Sequence, residues 1–211
     1  CVVSMSNFYL DVIKDRLYTE KADGLLRKSA QSAIYMILRS LNLLLAPVLS
    51  FTTEEVWQCI PKNASDNYES VLLNDMPSFD PKFADDAILE KYNFLLELRN
   101  DVSKALELKR ADKTIGLSLA AKVAIYTNEE LYGRLSPIAN ELKEIFIVSD
   151  IEISKEKAPD GAYVGETFPE VSIAVSKADG EKCERCWIVS QTVGQTPAHP
   201  TICERCVSVI E

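Results

Sequence analysis

Four cysteines in the last thirty residues constrain this chain more than any other feature. Cys183 and Cys186 stand two residues apart, sixteen residues follow, and Cys203 and Cys206 repeat the pair. Two such pairs place four thiolates at the corners of a tetrahedron, each pair presented from a tight turn, at a spacing read as a zinc site. Zinc suits the set because it favours soft thiolates and imposes no geometry of its own. Four protein ligands close the site, whereas a catalytic zinc keeps one position for water or substrate, so one structural Zn2+ is expected. Two disulfides are the plainer alternative, but a pair this close bridges only with strain, and nothing else suggests secretion. His199, the single histidine, lies between the pairs and reads as a loop residue.

The remainder is ordinary globular protein: 211 residues, 47% hydrophobic and 26% charged, enough for two or three small units. No apolar run reaches the roughly 18 residues of a membrane span. Asp11, Lys14, Asp15 and Arg16 interrupt any N-terminal signal peptide. Cys1 and Cys59 have no evident mate, which suits a reducing cytoplasm, and a start at Cys1 suggests a piece of a longer chain. The net charge of −9 argues against an indiscriminate nucleic-acid binder, but its distribution matters more. No acidic residue falls between Asp23 and Glu54, while Arg27, Lys28 and Arg39 do. Lys104, Lys109, Arg110 and Lys113 form a second basic cluster, and acidic residues gather between positions 117 and 180.

Residues 3–18 read as an amphipathic helix, with Tyr9, Val12, Ile13, Arg16 and Leu17 at helical spacing. Residues 25–46 form a long helix closed by Pro47, apolar on more than one face in its second half and so expected to sit centrally, covered by neighbours. Thr52 and Glu55 make a capping box for a third helix, with Phe51 stapling against Val56 and Trp57 turned inward. Residues 81–113 form one long helix whose buried stripe runs through Ile88, Tyr92, Leu95, Leu96, Arg99, Val102 and Leu106. Four helices with short connections imply an antiparallel bundle over residues 1–115. Beyond Gly116 the period changes. Residues 122–126 read as a strand, Thr127 with Glu130 caps a helix, and Ser136-Pro137 starts another. Residues 146–153 and 171–175 are further apolar alternations. The expected fold is therefore mainly α: an antiparallel helical bundle (1–115), a small α/β subdomain (116–180) and a four-cysteine zinc knuckle (181–211).

The chain lacks a glycine-rich phosphate loop, a Ser/His/Asp set and a dense carboxylate cluster, so no catalytic residue is expected. At this point its residues resemble a family. Phe8-Tyr9-Leu10-Asp11 with Lys14-Asp15-Arg16-Leu17-Tyr18, and the run Ala46-Pro47-Val48-Leu49-Ser50-Phe51-Thr52-Thr53-Glu54-Glu55-Val56-Trp57, are similar to the anticodon-binding bundle of class I isoleucyl-tRNA synthetases. Arg110-Ala111-Asp112-Lys113 before Ile115-Gly116 resembles the end of that family's long helix. Gly180-Glu181-Lys182-Cys183-Glu184-Arg185-Cys186-Trp187 and Cys203-Glu204-Arg205-Cys206-Val207 resemble its bacterial zinc knuckle. The bundle motifs are shared more loosely with valyl and leucyl enzymes; the attached knuckle favours isoleucyl.

The resemblance implies a cytoplasmic, monomeric parent enzyme that joins isoleucine to tRNA(Ile) with ATP and Mg2+ and hydrolyses mischarged valine elsewhere. The family's His-Ile-Gly-His and Lys-Met-Ser-Lys-Ser signatures and its editing domain are missing here, so this segment by itself neither charges nor edits. Its role would be recognition of the anticodon stem-loop: bases stack on aromatics or Arg planes, and phosphates meet Lys and Arg. The candidates are Lys14, Arg16, Arg27, Lys28, Lys109, Arg110 and Lys113 in the bundle, and Lys182, Arg185, Trp187 and Arg205 in the knuckle. Two other classes compete. The knuckle also resembles the zinc finger of formamidopyrimidine-type DNA glycosylases, and a zinc-stapled protein-interaction module would need no nucleic acid.

Overall fold

The computed structural model describes residues 2–211, with side chains from Ser4 onward. Cys1, one of the two cysteines without an evident mate, lies outside these residues. The chain divides by packing into two compact units, one made of the segment up to Lys21 with Asp86–Glu211, the other of Ala22–Asp85. The division 1–115, 116–180 and 181–211 read from the sequence is one by role rather than by packing. The fold class is the expected one: largely helical, with a small mixed sheet and a four-cysteine cluster near the C-terminus.

The larger unit opens with a π-helical stretch, Val2–Tyr9, that runs into α1 (Leu10–Val12) and α2 (Lys14–Thr19). The helix expected over 3–18 is thus present but broken at Ile13, where ψ is −2°. Its long helix is α5 (Asp86–Ala111), which starts five residues after Pro81 because Asp80 caps a separate 3-10 turn over Pro81–Phe83. The buried stripe of α5 is Leu95, Leu98, Asp101, Val102, Ala105 and Leu106, spaced three and four apart on one face. Ile88 and Tyr92, expected in that stripe, are 54% and 36% exposed, because burial begins only at Leu95. Tyr92 uses its hydroxyl instead, donating to Glu141 Oε1 at 2.8 Å. Past Ala111 the chain turns at Lys113 in the left-handed region (φ 62°), with the Thr114 and Ile115 N–H groups turned back to the Lys109 carbonyl.

Four strands follow in the order β2-β1-β4-β3: β1 (Ala121–Tyr126), β2 (Asp150–Ser154), β3 (Tyr163–Val164) and β4 (Ser172–Lys177). β1 is parallel to β2, with Val123 opposite Ile151, and antiparallel to β4, with Val123 opposite Val175. A parallel pair needs a crossover, supplied here by α6 (Glu129–Leu135), a 3-10 turn at Ser136–Ile138 and α7 (Ala139–Phe146). Asn128, not Thr127, caps α6: its Oδ1 accepts from Leu131 N at 2.9 Å. Thr127 still belongs to the sheet, its N–H donating to the Ser154 carbonyl at 3.0 Å. The strand expected over 146–153 begins only at Asp150, because α7 runs to Phe146 and Ile147 reverses the chain at φ 57°. The core forms where Val123, Ile125, Ile173 and Val175 meet the buried faces of α5, α6 and α7.

A buried carboxylate ties α5 to the sheet. Asp101 is fully buried and accepts from three backbone N–H groups of the turn before β4: Glu166 at 3.1 Å, Thr167 at 3.1 and 3.3 Å, and Phe168 at 3.1 Å. Gly165 makes room for it, since a Cβ there would lie 2.7 Å from Asp101 Oδ2 and 2.5 Å from the Phe168 carbonyl oxygen.

The smaller unit holds α3 (Leu25–Leu45) and α4 (Ser50–Cys59), packed through Leu43, Ala46, Trp57 and Val71. Trp57 is fully buried and donates Nε1–H to the Asn67 carbonyl at 3.0 Å. Asp66, also buried, accepts from Arg39 and from Asn63 N. The expectation that α3 is covered all round fails: only Ala30, Asn42 and Leu43 are buried, because α4 and one 3-10 turn over Val71–Leu73 cover a single stripe. The capping box fails too. α4 begins at Ser50, so Thr52 is already inside the helix, and Phe51 is 91% exposed rather than stapled. Among the described residues no helix is long and apolar enough to cross a membrane.

Candidate metal centre and nucleic-acid interface

The knuckle is a two-stranded hairpin, β5 (Glu181–Lys182) with β6 (Val189–Ser190), followed by a loop and α8 (Glu204–Ile210). It leaves the sheet through Gly180 at φ 113°, where a Cβ would fall 2.3 Å from the Ser190 carbonyl carbon, so only glycine fits. Each cysteine pair sits at a turn. Trp187 N–H returns to the Cys183 carbonyl at 2.9 Å with Trp187 itself at φ 65°, and Cys203 precedes the first turn of α8.

The four sulfurs lie within 4.8 Å of one another. The Cys183–Cys206 and Cys186–Cys203 pairs are each 3.7 Å apart. A disulfide needs about 2.05 Å, whereas zinc held at about 2.3 Å from each sulfur sets tetrahedral edges of about 3.8 Å. The donor set therefore fits zinc and excludes bridging. Electrostatics agree. Burial pushes the Cys183 thiol up, but the N–H groups of Cys186, Cys203 and Arg185 outweigh it and hold the thiol down at about 6. Burial raises Cys186 and Cys206. Four sulfurs this close are stable as thiolates only with a cation between them, and bound zinc would supply that charge and the folding energy of a segment too small for a core. His199 is not among the ligands.

The remaining candidates fall into distinct settings. Arg16 on α2 reaches Glu144 Oε2 on α7 at 2.6 Å. Arg185 Nη1 donates to the Thr19 carbonyl at 2.6 Å and lies 3.6 Å from Cys206 Sγ. Arg205 forks onto Asp15 with bonds of 2.6 and 2.7 Å. That contact raises Arg205, and although burial pushes Asp15 up, Arg205, Thr19 and Arg16 together hold its carboxyl below the usual range. Lys14 is exposed beside Asp11 at 2.7 Å. Lys109 pairs with Asp112 at 3.1 Å, Arg110 Nε donates to the Gly116 carbonyl at 3.3 Å, and Lys113 is exposed. These three share the C-terminal end of α5, where positive charge also complements the helix dipole. Arg27 and Lys28 stand in the first turn of α3, where the dipole opposes them, so helix stability does not account for their charge. They belong to the smaller unit, and all other candidates belong to the larger. Trp187 is 57% exposed, with Lys182 Nζ 4.9 Å from its ring centroid, so it is no part of the knuckle's interior.

Sequence reasoning missed the contacts that seat the knuckle: Asp15, Thr19, and Ser149, whose Oγ accepts from Val189 N at 2.7 Å. Asp101 and Gly165 were missed as well. No spacing signals any of them, because each partner lies tens to hundreds of residues away.

The chain belongs to the family described as the anticodon-binding domain of tRNA ligase, which matches residues 1–125. Residues 180–209 match the zinc finger found in FPG and IleRS. The full chain is 47% identical over 213 residues to the isoleucine–tRNA ligase of Thermoanaerobacter sp. (strain X514), of which it covers 23%. It is 47% identical to that of Syntrophotalea carbinolica and 44% identical to that of Geobacter sulfurreducens, covering 22% of each. The chain thus spans under a quarter of the length of these relatives. The DNA-glycosylase reading is not favoured, since it accounts for the knuckle alone.

Proposed function

We propose that this chain is the tRNA-reading segment of an isoleucine–tRNA ligase, with tRNA(Ile) as its RNA and the rest of the ligase as its covalent partner. One observation carries the reading: an anticodon-binding domain and a zinc finger of this type are joined in one chain whose whole length is similar to isoleucine–tRNA ligases. Residues 1–115 and 181–211 meet the anticodon stem-loop, and residues 116–180 link them along the chain. Splayed bases stack on Trp187, and phosphates meet Lys14, Arg27, Lys28, Lys109, Arg110, Lys113 and Lys182. ATP and Mg2+ act in a catalytic domain elsewhere in a monomeric, cytoplasmic parent. Editing of valine there has a physical motive, since one methylene distinguishes the amino acids by only about 150-fold. Charge reversal tests the role: Lys109→Glu, Arg110→Glu and Lys113→Glu together lower affinity for an anticodon stem-loop. They also flatten its salt dependence by roughly 0.7 log units per log unit of salt for each lost phosphate contact. Unchanged binding by a folded triple variant would sink the reading.

A further inference from the structure

Two of the basic residues that sequence reasoning assigned to RNA are occupied within the fold, on the same element. Arg185 joins the Thr19 carbonyl to Cys206 Sγ, and Arg205, one residue before Cys206, forks onto both oxygens of Asp15. Four thiolates on a divalent cation leave a net charge of −2, and two guanidiniums stand against the cluster. Each also donates to α2, at Thr19 and Asp15, four residues apart on one face of that helix. The planar fork of Arg205 matches the carboxylate bidentately, which fixes orientation as well as distance. An adjacent face of α2 is held by Arg16 on Glu144.

We infer that Arg185 and Arg205 are positioning residues rather than phosphate contacts: they lock the four-thiolate knuckle onto α2, so that Lys182 and Trp187 move with Lys14 as one body. The RNA role of that body rests on the function proposed above; the lock does not. The two views of Arg205 predict opposite signs for one variant. Asp15→Asn makes the chain less acidic and releases Arg205. If Arg205 contacted phosphate, the release would tighten RNA binding and steepen its salt dependence. If Arg205 positions the knuckle, binding weakens and the salt slope stays as it was.

The experiment uses the zinc-loaded 211-residue chain and its Asp15→Asn, Arg205→Gln and doubly substituted variants. Hydrogen exchange is followed at the amides of residues 14–20, with zinc content by elemental analysis and binding of an anticodon stem-loop at several salt concentrations. Both single variants keep one zinc, exchange about tenfold faster at residues 14–20 and bind RNA more weakly at unchanged slope. The double variant is no worse than either single one, because each has already broken the same contact. Unchanged exchange, additive losses, or tighter RNA binding by Asp15→Asn would overturn the inference. An unsubstituted chain that binds no stem-loop would refute the proposed function, while exchange would still decide the lock.

Discussion

Asp101 offers a test in which two similar substitutions separate two accounts of a buried charge. Its carboxylate accepts four hydrogen bonds from three backbone N–H groups, two on each oxygen. Asp101→Ala leaves those donors unpaired beneath the sheet, at about 1 kcal/mol each and about 3 kcal/mol together. Asp101→Asn is isosteric and still accepts through one oxygen. Its NH2 group, however, must face the N–H groups of Thr167 and Phe168, or of Glu166 and Thr167 if the amide is turned over. Donor meets donor in either orientation, so Asn should cost nearly as much as Ala. If the site needed only packing volume, Asn would be nearly neutral. Hydrogen exchange at the central amides of β1 and β4 reads the difference residue by residue, with the Ala22–Asp85 unit as internal reference. A 3 kcal/mol loss corresponds to roughly a hundredfold faster exchange, at about 1.4 kcal/mol per decade. An Asn variant that exchanges like the unsubstituted chain, or an Ala variant less than threefold faster, would refute the reasoning.

Replacing Cys203 with Ser should release the metal and unfold the residues after Gly180, while helical circular dichroism and exchange protection at β1 and Trp57 persist; a zinc-free preparation of the unsubstituted chain that keeps the knuckle protected would contradict this. A second prediction concerns acid. The Arg39 guanidinium beside Asp66 holds its carboxyl below the ordinary 3.8, against the opposing effect of burial. A lowered folded pKa stabilises above the ordinary value and is lost as pH falls through 3.8 toward the lowered one. Emission from Trp57 should therefore report loosening of the smaller unit in that window, and Asp66→Asn should lower stability at pH 7 while removing this acid step.

Legibility tracked distance along the chain. The zinc ligands sit in two short turns, so their spacing alone encodes the geometry that the sulfurs adopt. α3, α5 and β1 were readable because their periodicity spans several turns or a full strand. Caps were less so: Thr52 with Glu55 satisfies the pattern of a capping box, yet α4 starts two residues earlier, at Ser50. Thr127 likewise looked like a cap but remains in the ladder of β1, and Asn128 beside it does the work. Apolar composition over-predicted burial in α3, because periodicity shows which face is apolar but not how many neighbours exist to cover it. The functional surface was least legible. Charge type marks a basic residue as a candidate, yet Arg16, Arg185 and Arg205 each found a partner more than a hundred positions away or on the opposite end of the chain.

The contact between Asp15 and Arg205 spans 190 positions, and that between Thr19 and Arg185 spans 166. On a ribosome adding about 5–20 residues per second, α2 waits roughly ten to forty seconds for these two knuckle partners. The Ala22–Asp85 unit, whose contacts close within its own 64 residues, can fold during that wait, between two halves of a unit not yet assembled. Within this segment α2 precedes both knuckle partners, and the contacts of Asp15 and Thr19 close only once the second cysteine pair has left the tunnel and takes up its metal. Zinc supply would then set the pace at which the knuckle fastens onto α2, and a nascent chain short of metal would carry a finished Ala22–Asp85 unit and an α2 without its knuckle contacts.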